Sequence, residues 1–380
     1  MSALRVVQVG FHADAERRPA ESLLRAWPTL SAVAGAASRA GIDVSVVQAA
    51  HRDESVAIGG VAYHFLDDGH HPPVRLPGGA NVARRPARIL RRVAELAPDV
   101  VHVHGLNHPL AARRLADSLG GIPVLVQDHG SVPPDGWRRH AWRWAYAPVV
   151  GVAFTAREQA APFVDAGALR GDVPVFEVLE SSTSFTPGDR DEARRATGMF
   201  GDPCLLWTGR LDANKDPLTV LDAFERALRE LPEARLWCCF GDAPLLDAVR
   251  RRVVRSPALR GHVRLLGRRP HAEMELRFRA ADFFVQASHR EGSGYSLLEA
   301  LACGTAPLVT DIPAARRIVG DAGSLTPVGD ATAFAAAMVT WAARAREPLR
   351  RAARARFEDA LTFDAVGREL RTAYESVARA

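Results

Sequence analysis

Lysine is almost absent from this sequence of 380 residues. Of its 49 basic residues, Lys215 is the single lysine and all the others are arginine. Arginine serves as well as lysine at most exposed positions. The one retained lysine therefore indicates a site that needs a compact ammonium group rather than a planar guanidinium, with chance retention as the alternative.

Other scarce features exclude whole classes of protein. No apolar run approaches the roughly 20 residues that cross a bilayer, and 47% apolar residues with 24% charged residues exclude a disordered chain. A net charge of only +5 argues against a nucleic-acid-binding surface. The first residues run directly into a strand pattern without a basic leader, so we expect a cytoplasmic protein. The four cysteines lack CxxC spacing and are predicted to be buried and reduced: Cys204, Cys238, Cys239 and Cys303.

Short apolar runs alternate with helical segments, which predicts parallel sheets covered by helices. A helical pattern covers about 20–40, and three helices are predicted over about 330–379. The alternation restarts after a polar stretch around Pro187. We therefore predict an α/β protein with two Rossmann-like domains that face each other across a central cleft. Their bounds are 1–186 for the N-terminal domain, 187–361 for the C-terminal domain, and 362–380 for a helix that packs back toward the N-terminal domain.

The loop over 208–217 follows a predicted strand and precedes a helix that begins near Asp216. Gly209 permits close approach of the backbone to a ligand. Arg210 and Lys215 lie five residues apart in this loop, beside a helix N-terminus, so both can reach one anion. A guanidinium and an ammonium together suit a diphosphate. The alternative is a solvated loop with two surface charges.

A second loop, over 290–294, follows another predicted strand and leads into a helix that Gly304 ends. The backbone N–H groups of Ser293, Gly294 and Tyr295 can hold phosphate or sugar hydroxyls. Glu291 and Glu299 are eight residues apart, about 12 Å along an ideal helix, so they cannot act on one atom as a close acid–base pair. They can bind two ends of an elongated ligand. The alternative is one acid at the helix dipole and one on the surface.

Ten of the thirteen histidines lie in the N-terminal half of the chain. His102 and His104 share one face of a predicted strand, and His129 follows the next strand, in a loop expected to face the cleft. The His-x-His spacing is compatible with zinc, but no Cys or Asp partners stand at metal-ligand spacing. We therefore interpret His104 and His129 as polar groups at strand ends that line a cleft.

These motifs resemble the family 4 retaining glycosyltransferases, which have the GT-B fold. TGRLDANKDP (208–217) and EGSGYSLLEALACGTAPLV (291–309) carry the resemblance, which is specific over about 200–330. PDVVHVHG (98–105), VLVQDHG (124–130) and GVAFTAREQA (151–160) look like the family's N-terminal landmarks.

The resemblance implies retaining transfer of a hexose-type sugar from a nucleotide diphosphate sugar. UDP is the first guess for the nucleotide and GDP the second. The acceptor is a hydroxyl group, as on a glycan, a lipid-linked saccharide or a small metabolite. No metal and no cofactor is implied. A catalytically inactive nucleotide-sugar-binding scaffold and a GT-B nucleotide-sugar epimerase remain the alternatives.

The resemblance also implies roles for single residues. Arg210 and Lys215 would bind the donor diphosphate. Glu299 would hold the ribose hydroxyls, and Glu291 would contact the transferred sugar. The catalytic set would then be His129, Arg210, Lys215 and Glu291. Donor-binding residues would be Gly209, Arg268, Ser293, Gly294, Tyr295 and Glu299.

Three segments depart from the family pattern. The stretch after the first strand, 10–19, has a single glycine, Gly10, where a glycine pair is usual, which leaves the acceptor open. Glu180-Ser181-Ser182 replaces the usual Pro-Asn-Gly. A later Gly-x-Gly turn has lost one glycine at Ala243.

A last segment concerns partners. Residues 137–146 mix aromatic and cationic side chains, and a helix predicted over 81–97 adds Arg84, Arg85, Arg88, Arg91 and Arg92. The pattern favours a partly buried aromatic helix whose arginines extend to solvent. Such mixtures also dock on anionic lipid, so peripheral association with the inner membrane face is the alternative, and it becomes the favoured interpretation if the acceptor is a lipid.

Overall fold

The computed structural model describes residues 3–68, 74–75, 81–82 and 86–379. The chain forms two compact units. The first consists of Met1–Ser181 with Phe363–Ala380, and the second of Ser182–Thr362.

The first unit is built on an eight-stranded sheet in which the central strands run parallel. The strand order is β10-β9-β8-β7-β1-β2-β4-β3. Two very short strands, β5 and β6, pair with each other. The bounds are β1 (Arg5–Gly10), β2 (Asp43–Ala50), β3 (Glu54–Ile58), β4 (Val61–Asp67), β5 (Val74–Arg75), β6 (Asn81–Val82), β7 (Val100–His104), β8 (Val124–Gln127), β9 (Gly151–Phe154) and β10 (Val175–Glu177).

The edge strand β3 is a feature that the sequence analysis missed. It pairs antiparallel with β4 across Gly59 and Gly60, whose φ angles of 58° and 83° lie in the left-handed region. A two-residue Gly-Gly connection is a hairpin signal. Three of the five β3 residues are exposed, so the strand lacks the apolar run that marks its parallel neighbours.

Helices cover this sheet: α1 (Ala20–Ala26), α2 (Pro28–Arg39), α3 (Ala87–Glu95), α4 (Pro109–Ser118), α5 (Arg138–Ala145) and α6 (Ala161–Asp165). The single helical pattern over 20–40 forms two helices, because Pro28 starts a new helix at its first position. The helix predicted over 81–97 begins only at Ala87. Arg84 and Arg85 lie outside the described residues.

The second unit has a six-stranded parallel sheet in the order β13-β12-β11-β14-β15-β16. The bounds are β11 (Cys204–Gly209), β12 (Arg235–Phe240), β13 (Val263–Gly267), β14 (Phe283–Gln286), β15 (Ala306–Thr310) and β16 (Ser324–Thr326). Its helices are α7 (Arg190–Thr197), α8 (Pro217–Ala227), α9 (Leu246–Arg255), α10 (Pro257–His262), α11 (His271–Ala280), α12 (Tyr295–Ala302), α13 (Pro313–Val319), α14 (Ala331–Ala342) and α15 (Arg346–Ala360). All four cysteines are buried and free, which confirms that prediction.

Asp282 fixes the relative register of β11 and β14, the two strands that precede the predicted ligand loops. Its backbone N–H donates to the Cys204 carbonyl, and its carboxylate accepts from the Cys204 N–H, both at 2.8 Å. Arg190 and Arg194 neutralise this buried carboxylate at 2.9 and 2.8 Å. A buried charge is costly unless it is paired and hydrogen-bonded, so this pairing ties helix α7 to the start of the sheet.

The last helix, α16 (Phe363–Val377), belongs to the first unit and packs on α2. Gly367 makes this close packing possible, because a Cβ atom there would collide with the backbone carbonyl of Ala36. The buried Tyr374 hydroxyl accepts from Gln8 Nε2 at 3.1 Å and lies 2.7 Å from His102 Nδ1. Helix α16 therefore contacts His102 of strand β7 through Tyr374.

We predict that Gly367→Ala destabilises the first unit by about 1–3 kcal/mol, since added volume at a tight helix contact forces the backbones apart. Gly35→Ala in α2 is the matched control. Its Cβ would approach a flexible Arg39 guanidinium no closer than 3.5 Å, so better helix propensity should stabilise by about 0.5–1 kcal/mol. Thermal melting of both variants checks this, and the same shift in both would contradict the assigned contact.

Candidate functional site

The two predicted ligand loops meet at one edge of the second sheet. They follow β11 and β14, which are adjacent and parallel with Leu205 opposite Phe283. The loops are also bonded to each other. The His289 N–H donates to the Asn214 carbonyl at 2.8 Å, and Asn214 Nδ2 donates to the Arg290 carbonyl at 2.9 Å. Carboxyl ends of parallel strands are where ligands bind in open α/β sheets.

Lys215 and Glu291 form an ion pair across these loops. Their side chains are only 15% and 14% exposed. Asp212 fixes the lysine backbone by accepting its N–H at 2.9 Å, and the lysine stem passes over Gly209, close to where a Cβ atom would lie. The structure thus places the single lysine of the chain, shielded, against the first of the two predicted ligand glutamates.

Arg210 occupies a different position. It is exposed and pairs with Asp212 at 3.0 Å, within its own loop. An exposed pair of this kind contributes little stability, so the guanidinium can leave Asp212 for an incoming anion at small cost. Convergence of Arg210 and Lys215 on one diphosphate stays a prediction.

Helix α12 starts at the second loop, as the sequence predicted. Its N-cap is Gly294, with φ at 63° in the left-handed region that favours glycine. Ser293 is buried and Tyr295 exposed. Thr208 Oγ1 donates to Ser296 Oγ at 2.6 Å, which ties the helix start to the end of β11. The positive end of α12 therefore lies beside the Lys215 loop.

Glu299 has a partner that the sequence analysis missed. His271 Nε2 lies 2.6 Å from the Glu299 carboxylate, and the His271 ring stacks on Phe185 with centroids 5.0 Å apart. The hydrogen bond to Glu299 raises the pKa of His271 above its ordinary value, although partial burial acts in the opposite direction. Arg268 is exposed just after β13, a few residues before His271. A lone histidine at a helix start gave no sequence signal for this contact.

The first unit holds a linked row of histidines at the ends of β7 and β8. The His102 and His104 rings lie 4.2 Å apart. His104 Nδ1 lies 3.1 Å from His129 Nε2, and His129 Nδ1 lies 3.4 Å from a carboxylate oxygen of Glu180. The Glu180 side chain is only 6% exposed. The predicted position of His104 and His129 at strand ends is confirmed.

Burial and nearby charges shift the pKa values of these three histidines in different directions. Burial lowers the pKa of His102 to about 3, and a charge on His129 contributes. Burial and the neighbouring histidines lower the pKa of His104 as well. Burial also disfavours the charged form of His129, but the hydrogen bond to Glu180 and the charges of Glu180 and Asp128 outweigh it and raise the pKa of His129.

A cavity of about 350 Å³ opens beside this row within the first unit. One wall is apolar and comes largely from the start of α2, with Trp27, Pro28 and Leu30. The polar wall includes His104, His129 and Glu180. This size is at the lower end of small-molecule pockets.

Two family models match the chain. Glycosyltransferase Family 4 matches residues 29–157, and glycosyl transferases group 1 matches residues 202–344. The matches fall on separate units and together cover well over half of the sequence. The chain belongs to the family 4 glycosyltransferases.

Similar proteins support this membership. The family 4 chain is 25% identical over 256 residues to a GDP-mannose:cellobiosyl-diphosphopolyprenol α-mannosyltransferase of Xanthomonas oryzae, covering 66% of each chain. It is 36% identical over 205 residues to a D-inositol 3-phosphate glycosyltransferase of Geodermatophilus obscurus, covering 51% of this chain and 45% of that protein. The alignments thus span less than two thirds of these curated relatives.

Solved structures show the fold. Anabaena HepE in complex with UDP matches 98% of this chain and 100% of its own, with a TM-score of 0.69 at 15% identity. Sucrose-phosphate synthase from Thermosynechococcus elongatus matches 98% and 99%, with a TM-score of 0.69 at 16% identity. The two parallel α/β units therefore belong to the GT-B fold that the resemblance predicted.

We predict that His271 titrates above pH 6.5 in this family 4 chain, and that Glu299→Gln returns its pKa toward 6.5. The reason is that the carboxylate stabilises the protonated ring. The stability from this pair is fully present below pH 6.5 and is lost as the pH rises through the folded-state pKa. NMR titration of the histidine ring checks this, and an unchanged pKa in Glu299→Gln would contradict the contact.

Proposed function

We propose that this protein is a retaining glycosyltransferase that moves a sugar from a nucleotide diphosphate sugar to a hydroxyl acceptor. One observation carries the proposal. The single lysine, Lys215, is held against Glu291 at the meeting point of two loops, in a member of family 4. An ammonium and a carboxylate at one sheet edge suit a ligand that has both a diphosphate and sugar hydroxyls.

The chemistry follows from where charge develops. When the bond between the sugar C1 atom and the phosphate oxygen breaks, negative charge collects on the leaving diphosphate. Lys215, and Arg210 once released from Asp212, would stabilise that charge. The acceptor oxygen then bonds to C1 from the same face, and its proton passes to the leaving phosphate. No carboxylate dyad is needed, and two protein cations supply the charge that a metal ion otherwise provides.

The relatives guide the choice of donor and acceptor. The Xanthomonas protein is named for GDP-mannose and a diphosphopolyprenol-linked acceptor, and the Geodermatophilus protein for inositol 3-phosphate. HepE was solved with UDP, and also with UDP and glucose. We therefore propose GDP-mannose and UDP-glucose as the first donors to test, with a lipid-linked saccharide or a phosphorylated polyol as acceptor. A glycosylated product separates this proposal from an epimerase, which would isomerise the donor, and from a scaffold, which would only bind it.

We also propose that the α5 surface associates with anionic membranes. Trp137 and Trp144, at the two ends of this helix, are 66% and 55% exposed. Arg113 lies over the Trp144 ring at 4.7 Å. The buried face, by contrast, carries Trp142 stacked on Phe163. Over the described residues, none of the helices combines the length and apolar character needed to cross a bilayer.

Lys215→Ala should lower kcat/KM for sugar transfer by about 10²–10³-fold, because one fixed cation on the leaving group is lost. It should also weaken nucleotide diphosphate binding while the protein still melts cooperatively. Lys215→Arg is the matched control. It keeps the charge but replaces the compact ammonium by a planar guanidinium, so we expect intermediate activity. Full transfer activity and donor affinity in Lys215→Ala would contradict the proposal.

The double change Trp137→Ala and Trp144→Ala should reduce cosedimentation with vesicles that contain phosphatidylglycerol by about tenfold. The physical reason is the loss of two interfacial aromatic anchors. Val254→Ala, which removes an exposed apolar residue of the second unit, is the control. Equal binding to neutral phosphatidylcholine vesicles, or no effect of the double change, would contradict the membrane proposal.

A further inference from the structure

Glu180 is a buried carboxylate at the end of the first unit, shortly after β10. The segment before it is fixed in place, because the Leu179 N–H donates to Glu369 of α16 at 3.0 Å. A carboxylate with so little access to water needs an opposite charge or strong donors. His129 Nδ1 is 3.4 Å away and provides such a partner.

The hydrogen bonds along the row of histidines indicate which ring carries the additional proton of the charged form. Gln8 Nε2 donates to the Tyr374 hydroxyl, so that hydroxyl is free to donate its own proton to His102 Nδ1. Burial lowers the pKa of both His102 and His104, so both rings stay neutral. A neutral His104 can accept at Nδ1 from His129 Nε2. His129 can then hold protons on both nitrogens, one directed to Glu180 and one to His104.

We propose that Glu180 is a positioning residue that keeps His129 protonated on both nitrogens. The Nε2–H of His129 can then donate its hydrogen bond to an oxygen of a ligand in the 350 Å³ cavity instead of to His104. His129 is partly exposed and lines this cavity together with Glu180. With Nδ1–H held by Glu180, the ring can exchange its second partner without losing its charge. The inference rests on the proposed function, because that ligand is a substrate of the transfer.

Other charged and titratable groups face His129, but none replaces Glu180 in this role. Asp128 adds negative charge, yet its carboxylate is already bound by the N–H groups of Gly130 and Ser131 at 3.0 Å. His104 and His102 on β7 stay neutral, because burial and the charge on His129 lower their pKa values, so neither adds a charge beside His129. Glu369 on α16 bonds the Leu179 backbone. Glu180 is the carboxylate in direct contact with the ring.

The test compares wild type, Glu180→Gln, Glu180→Asp and a control, Glu54→Gln. Glu54 is a carboxylate of the same unit that accepts the Ala20 N–H at 2.6 Å. Two readouts are taken: the pKa of His129 by NMR, and the pH profile of kcat/KM for transfer. Binding of UDP and GDP by calorimetry serves as a third readout.

We expect His129 to titrate above pH 6.5 in wild type and in Glu54→Gln, and below it in Glu180→Gln, where only the charge of Asp128 still opposes the effect of burial. As the pH rises, kcat/KM for transfer should then begin to fall at a lower pH in Glu180→Gln than in wild type. Each unit by which the pKa falls lowers the protonated fraction about tenfold at a pH above both values. Glu180→Asp should restore part of the profile, and nucleotide affinity should stay within twofold in all variants.

Several results would overturn the inference. A wild-type pKa of His129 below 6.5 would do so even if no variant folded. An unchanged pKa in Glu180→Gln, or a lowered pKa with an unchanged pH profile, would also do so. If wild type bound nucleotide but formed no glycosylated product, the proposed function itself would fail. The His129 titration would still report separately whether Glu180 holds the proton.

Discussion

Parallel pairing of β11 with β14 is the constraint on which the candidate site depends. Both strands are buried, and the two hydrogen bonds between Asp282 and Cys204 set the register of the strands at their amino ends. Because the strands are adjacent and parallel, the loops that leave their carboxyl ends must emerge side by side. Loops whose paired residues are 76 positions apart in sequence are thereby joined by backbone and side-chain bonds. The positions of Lys215, Glu291 and the start of α12 all follow from that arrangement.

Three of the little-exposed acids are each paired with a cation or an imidazole of the same unit. Glu291 is held by Lys215, Glu299 by His271, and Glu180 by His129. This arrangement solves an electrostatic problem, since a carboxylate away from water is costly without a partner. A bound ligand with hydroxyl and phosphate groups would exchange these internal contacts for contacts with itself. The free-energy cost of binding would then be lower than in a site whose buried charges had no partner before the ligand arrived.

Much of this architecture could be predicted from the sequence, because it depends on local patterns. The buried parallel strands are apolar runs, and the helices at Pro217 and Tyr295 begin where the loop motifs place them. The scarcity of lysine also singled out Lys215. Contacts set by tertiary packing could not be predicted. The approach of His271 to Glu299 and of Glu180 to His129 depends on how elements distant in the chain come together. The edge strand β3 was missed because its residues are mostly exposed.

We expect the second unit to carry a preformed site for a nucleotide diphosphate. Thermal stabilisation by UDP, GDP and ADP, each at millimolar concentration, is the first measurement to make. A ligand at 100 times its Kd should add about 2.7 kcal/mol to the stability of the folded state. We expect a clear increase in Tm with one of the three nucleotides, which would also identify the donor base. No shift with any of them would contradict the expectation of a preformed site.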